Sequence, residues 1–413
     1  MTQIGRIDGL RAAVLLIAAS GLWIAPPASA GTPGQNCDWA EGFGLPGLDG
    51  HVGNAVAFND GSGDALYIGG KFTVAGEALA NGIAKWDGTS WSAVGAGMDP
   101  GVGALAVFDD GDGPALYAGG DFTTAGGVSA NRIAKWDGTS WSALGSGMND
   151  IVYDLAVFDD GGGAALYAGG PFTTAGGVIA NGIAKWNGSS WSALGSGMND
   201  LVAALIVFDD GGGPALYAGG DFTTAGGVSA NRIAKWNPGV PGSWSPLGAG
   251  MNDPFSIAVS ALAVFDDGGG PALYAGGYFT TAGGVSANRV AKWDGSSWSP
   301  LGSGVTSAVR ALTVFDDGGG PALYVGGDFT MAGGREREPN RQMGRDGLVA
   351  FGDWHECRRF YPGGVRRRRR PGPLRGRRLH HRRRRGRQSH RQVESRPAGK
   401  LVGTGHRDPR APA

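Results

Sequence analysis

Apolar runs of four or five residues recur along this chain, each closed off by Gly, Asp, Asn or Ser. Representative runs are Asp154–Phe158 (DLAVF), Ala165–Gly169 (ALYAG), Arg132–Trp136 (RIAKW) and Ser140–Leu144 (SWSAL). Runs this short between turn residues predict strands, four to a unit. FDDGGG between the first two reads as a hairpin turn, because Asp and Gly tolerate the left-handed backbone conformation. DGTS plays the same part between the last two. Along RIAKW, strand alternation points Ile133 and Lys135 one way and Arg132, Ala134 and Trp136 the other. Small residues dominate the ALYAG strand, and Gly119 and Gly120 predict close approach by neighbouring chain. Beyond the first thirty residues no segment shows helical periodicity.

The runs belong to a repeat. The phrase ALYxGG begins at Ala65, Ala115, Ala165, Ala215, Ala272 and Ala322, at spacings of 50, 50, 50, 57 and 50 residues. A period in this range marks a repeat architecture. Four short antiparallel strands per unit, repeated about an axis, predict an all-β fold, a β-propeller of four-stranded antiparallel blades. Val52–Phe58 supplies the first strand of the first blade, and about five and a half blades are in frame. Pro114–Trp136 and Pro214–Trp236 are identical, which points to recent duplication.

LYAGGDF at Leu116–Phe122 and KWDGTSW at Lys135–Trp141 resemble the Kelch motif: a hydrophobic strand ending in Gly-Gly, a loop, an aromatic followed by Asp-Gly, then Trp. The resemblance extends to the wider Kelch and galactose-oxidase central-domain group. It is nearest to secreted proteins carrying such units, among them the fungal Rax2-like cortical-marker proteins. It covers roughly residues 43–334 and implies a fold rather than an activity. Galactose oxidase uses tyrosine, cysteine and histidine to bind copper. The repeats here lack cysteine and almost lack histidine, so that chemistry does not carry over.

Composition sharpens the picture in two places. Glycine, at 80 of 413 residues, far exceeds the usual share of about 7%, and it sits at fixed places in each unit, as turn glycines do. The net charge of zero hides two opposite halves. Residues 1–334 carry 12 Lys and Arg against 29 Asp and Glu (−17), and residues 335–413 carry 24 against 7 (+17). At the N-terminus, Arg6 and Arg11 precede the apolar Ala12–Ala25, and Ala28-Ser29-Ala30 fits an A-x-A cleavage site before Gly31. Residues 1–30 therefore read as an export signal, with no membrane span after cleavage and a secreted, periplasmic or cell-surface destination. The two cysteines, Cys37 and Cys357, predict no structural disulfide.

The basic tail, residues 335–413, reads as the same repeat out of frame. In GC-rich codons read one base early, GVSANRIAKWDG with the Thr that follows it becomes, from its Val on, R-E-R-E-P-N-R-Q-M-G-R-D, which is Arg335–Asp346. FDDGGGPALYAGGDFTTAGG becomes Arg366–Arg384 in the same way, and Gly399–Gly405 decodes as fourth-strand text. On this reading the restored chain has seven blades and closes a ring. The tail as written is then a disordered segment that needs no nucleic-acid partner, and His380 and His381, which decode as Thr-Thr, are not metal ligands.

Candidate chemistry is sparse. His51 is the one histidine before residue 335 and lies at the edge of the repeats. The Asp pairs 109/110, 159/160, 209/210, 266/267 and 316/317 read as structural turns, with calcium sites the lesser alternative. Five Trp pairs, Trp86/Trp91 through Trp293/Trp298, read as inter-blade packing, with sugar stacking the lesser alternative. No catalytic, cofactor-binding or metal-binding residue is expected, and the binding residues are open. Individual features are Pro171 and the insertions at Asn237–Ser243 and around Pro254–Val259. These readings predict a non-enzymatic binding or structural module for a protein or polysaccharide ligand. The alternative is an extracellular polysaccharide-acting enzyme with its site in the propeller channel.

Overall fold

The computed structural model describes residues 47–239, 242–252, 257–316, 320–333 and 335–336, the last two by backbone alone. The expected export signal, both cysteines and nearly all of the basic tail lie outside the described residues. The described residues form strands and no helix. Five four-stranded antiparallel sheets follow one another, and a sixth has two strands among the described residues. The fold is all-β, with the repeated sheets arranged as propeller blades.

The second sheet shows the pattern. Val102–Asp109 pairs with Pro114–Gly120, which pairs with Ile133–Trp136, which pairs with Trp141–Ala143. The sheet takes its first strand from the stretch before ALYAGG. This corrects the grouping expected from sequence: Asp154–Phe158 and Ala165–Gly169 belong to the third sheet, and Arg132–Trp136 and Ser140–Leu144 to the second. Spacing alone fixes the period of a repeat but not where one sheet ends.

Alternation separates two cores rather than core from solvent. Ala134, Trp136, Leu116 and Ala118 pack with Phe58, Tyr67 and Ile83 of the first sheet. Ile133, Tyr117 and Phe108, on the opposite face, pack with Leu166, Ala168 and Phe172 of the third. Each interior sheet is buried on both sides, so its strands are apolar at consecutive positions, as in Leu116, Tyr117 and Ala118. Arg132 does not join the strand. It lies before it with φ 65°, in the left-handed region, where the first and third copies carry Gly82 (φ 69°) and Gly182 (φ 72°).

Consecutive sheets meet through their first strands, and through the second strand of one against the first strand of the next. A Cβ on Gly119 would lie 2.5 Å from the Val152 side chain of the following sheet, so glycine is what permits that approach. The loop between second and third strands carries a two-residue hairpin such as Thr124–Ala125 with Val128–Ser129. That hairpin is latched to the preceding repeat: Met98 bridges Ala125, and the Gly126 amide donates to Gly97 O at 2.8 Å.

Candidate functional site: two ends of the sheets

The strand order gives every sheet two ends of different chemistry. One end holds the turn between first and second strands and the turn between third and fourth. Asp159 ends its strand and accepts the Gly161 and Gly163 amides at 2.8 and 3.0 Å, which shapes the turn. Its neighbour Asp160 points back along the sheet and accepts from Lys185 Nζ at 2.7 Å and from the Tyr167 hydroxyl at 3.0 Å. The same Lys–Asp–Tyr cluster recurs as Lys85–Asp60–Tyr67, Lys135–Asp110–Tyr117, Lys235–Asp210–Tyr217 and Lys292–Asp267–Tyr274. Burial alone would raise the Asp160 carboxyl, but Lys185 and Tyr167 hold it below the usual carboxylate range. Burial, then the Asp160 carboxylate, pushes the Tyr167 hydroxyl up.

The second turn at this end, Asp137–Ser140, is an Asx-type turn. Asp137 accepts the Thr139 and Ser140 amides at 2.7 Å each, and the Ser140 backbone, then the Thr139 hydroxyl, lead in lowering its carboxyl. The tryptophans flanking it serve inter-sheet packing, as the sequence implied. Trp136 and Trp141 are buried with ring centroids 5.2 Å apart, and Trp141 Nε1 donates to Val94 O of the first repeat at 3.1 Å. The donors to the Asp pairs 109/110, 159/160, 209/210 and 266/267 are protein groups, and among the described residues no group of three or more acidic, His or Cys side chains is placed to hold a metal ion. This is an end built of turns that recur nearly unchanged; the fourth copy departs from it with the Asn237–Ser243 insertion.

The opposite end carries the loops between second and third strands and from each fourth strand to the next first strand. Differences between copies collect there. The residue after Gly-Gly is Lys71, Asp121, Pro171, Asp221, Tyr278 and Asp328 in turn. Its partner eleven residues on is Gly82, Arg132, Gly182, Arg232 and Arg289. The two positions vary together. Arg132 Nε lies 3.8 Å from Asp121, and the Arg289 guanidinium sits 5.0 Å from the Tyr278 ring centroid. Where the first position is Pro171 or Lys71, which offer an arginine nothing to bind, the second is glycine. Pro171, conspicuous in the sequence, is therefore one half of this pairing.

The entry to the first strand differs in every copy beyond the second. Gly53, Gly103, Tyr153, Ala203, Ser260 and Arg310 occupy one position, where Tyr153 and Arg310 are exposed. Arg310 makes an exposed ion pair with Asp328 at 2.7 Å. Ser260 Oγ donates to Val309 O of the next sheet. The adjacent position is small and buried in four copies, as Ala104, Ala204, Ala261 and Ala311, but is Asp154 in the third. Asp154 is partly buried and accepts the Leu155 amide at 2.8 Å and the Leu205 amide of the fourth sheet at 2.7 Å. Burial pushes its carboxyl up to about 7, against the pull of those two amides. His51 opens the first strand of the first sheet, exposed and at this same end.

Sequence reasoning had flagged Pro171 and the insertions but not Tyr153, Asp154 or Arg310. The signal was present in the strand entries of otherwise near-identical copies, and became visible once their common position was known. Part of the second insertion, residues 253–256, lies outside the described residues. No helix among the described residues is long and apolar enough to cross a membrane. No protein-family model matches the chain, and no curated protein matches it.

Proposed function

We propose that this chain is a secreted, Kelch-like, non-enzymatic binding module whose ligand sits on the variable end of the sheets. One observation carries the reading: copies that agree almost residue for residue elsewhere differ at the strand entries and at the position after Gly-Gly. Apart from the Asn237–Ser243 insertion at the hairpin end, the larger differences gather at the other end, and a purely structural repeat gives no reason for that bias. Tyr153 offers an exposed aromatic face, and Arg310 with Asp328 offers a charged hydrogen-bonding pair. Successive sheets present related loops side by side, which suits a polymeric ligand bound at several points. The test is binding to a panel of neutral, acidic and amino polysaccharides and to extracellular proteins, with turnover followed in parallel. Binding without turnover supports the reading, and absence of binding throughout the panel counts against it.

Asp154 favours a second reading, an extracellular enzyme acting on polysaccharide. It is a carboxyl group that breaks the repeat, on a first strand, and is held protonated nearer neutrality than a free carboxyl. Hydrolysis abolished by Asp154→Asn would support that reading over the binding module.

A further inference from the structure

We infer that residues 335–407 encode, one base out of register, the other half of the sixth sheet and a whole seventh sheet, which packs on the first sheet and closes the array.

The sixth sheet supplies the first observation. Val309–Asp316 and Pro321–Gly327 pair as in every other copy, but among the described residues no third strand follows. In the fifth sheet Ala275, Gly276 and Gly277 are buried, whereas their counterparts Val325, Gly326 and Gly327 are only half-buried. The third strand of the fifth sheet is Val290–Trp293, and fifty residues on lie Asn340–Met343. Read one base later, codons for those residues give Ile-Ala-Lys-Trp. Fifty residues after Trp298–Pro300 lie Leu348–Ala350, whose codons read Trp-Ser-Pro.

Two positions in this decoding allow no choice of codon. Methionine is ATG and the next residue, Gly344, begins with G, so Met343 must yield TGG, tryptophan, fifty residues after Trp293. Tryptophan is TGG and His355 begins with C, so Trp354 must yield GGC, glycine, fifty residues after Gly304. The match continues through segments of ordinary appearance. His355-Glu356 becomes Met-Asn, and Pro362–Val365 becomes Leu-Ala-Val-Phe, the first strand of a seventh sheet in register with Leu312–Phe315. Pro371–Arg377 becomes Pro-Ala-Leu-Tyr-Ala-Gly-Gly, fifty residues after Pro321–Gly327. His390–Val393 becomes Ile-Ala-Lys-Trp, and Leu401–Gly405 becomes Trp-Ser-Ala-Leu-Gly.

The first sheet supplies the seat. In the second sheet, Leu116, Ala118, Phe122, Ala134, Trp136 and Trp141 pack on the sheet before, against Phe58, Ala65, Tyr67, Ile83 and Val94. The equivalent face of the first sheet clusters, among the described residues, only with its own sheet and the preceding segment. Trp86 and Trp91 are half-buried there, although their counterparts in sheets two to five are buried. In the restored frame the codons of Val365, Gly372, Leu374, His390 and Thr404 read Phe, Ala, Tyr, Ile and Leu. That is the set the second sheet receives, with Leu in place of Val94. The seventh sheet thus offers the first sheet an interface that already recurs between neighbours along the array, and closure leaves no sheet face bare at either end of the array.

The test compares the full chain as written with the full chain from a gene lacking one base at the codon for Arg335. Light scattering after gel filtration and hydrogen exchange over Ile83–Ala93 are the measurements. The restored chain is expected to be a monomer with a single, higher melting transition and slower exchange over that segment. The chain as written is expected to self-associate. Restored chains that join head to tail into concentration-dependent oligomers, or that stay insoluble, would overturn closure. So would equal melting and equal exchange in the two chains.

Discussion

The two ends of each sheet are joined by the same strands and have diverged in opposite ways. At the hairpin end, Asp160 and its counterparts bind a lysine and a tyrosine in every complete sheet, even in the fourth, where the neighbouring turn carries the Asn237–Ser243 insertion. At the other end one position runs through glycine, tyrosine, alanine, serine and arginine. The difference teaches where energy and recognition reside. Half-buried charge is tolerated only with its partners in place, so the Lys–Asp–Tyr cluster of the hairpin end is held constant. Side chains exposed at a strand entry contribute little to folding, so the other end is free to differ.

The largest expected effect is therefore at the hairpin end. Asp210→Ala leaves Lys235 and Tyr217 without their shared acceptor and should cost about 2–4 kcal/mol, read from the denaturant midpoint. A loss below about 1 kcal/mol would show that the cluster is decoration. Gly169→Ala qualifies the comparison from within the core near the variable end. Its Cβ would lie 2.8 Å from Val202 of the next sheet, and overpacking should cost about 1–3 kcal/mol. Freedom at that end belongs to the exposed positions alone.

Acidity separates the ends by sign. Asp160 and its counterparts have lowered folded values, so their stabilisation is present at neutral pH and is lost as pH falls below about 4. Asp154 has a raised folded value of about 7, so its contribution is present below about pH 4 and is lost as pH rises from there through 7. Asp154→Ala, the residue of four other copies, should therefore gain stability relative to the native chain between pH 4.5 and pH 8. Midpoints measured at both pH values test this, and a gain in the acid direction would reverse the assignment.

The smallest effects are expected at the exposed and strained positions. Arg132→Gly exchanges a left-handed arginine for the residue of the first and third copies. The relief of strain and the loss of the Asp121 contact should cancel to within about 1 kcal/mol in thermal melts.

Much of this fold can be read from the chain. The Asp154–Phe158 and Ala165–Gly169 strands differ from the observed Asp154–Asp159 and Ala164–Gly169 by one residue each, because turn residues bound them sharply. The Trp pairs were legible as packing because only a repeated neighbour explains their recurrence. The phase of the sheets was not legible, since each hairpin is local and the pairing of Leu116 with Trp136 crosses a loop that any fold could contain. Nor was the Lys–Asp–Tyr cluster. Lys135 lies twenty-five residues from Asp110, and only the second strand between them brings the two together. The variable end was hidden for a similar reason, because its positions come from different loops.

Binding by a double variant tests the central claim most directly. Tyr153→Gly with Arg310→Gly restores the residue of the second copy at both places and leaves the hairpin end untouched. Measured on the polysaccharide and protein panel, binding should fall at least about tenfold, a loss of about 1.4 kcal/mol, while the melting temperature stays within a few degrees of native. Binding that survives this change but is lost on Asp112→Ala, an exposed substitution at the hairpin end, would contradict the account.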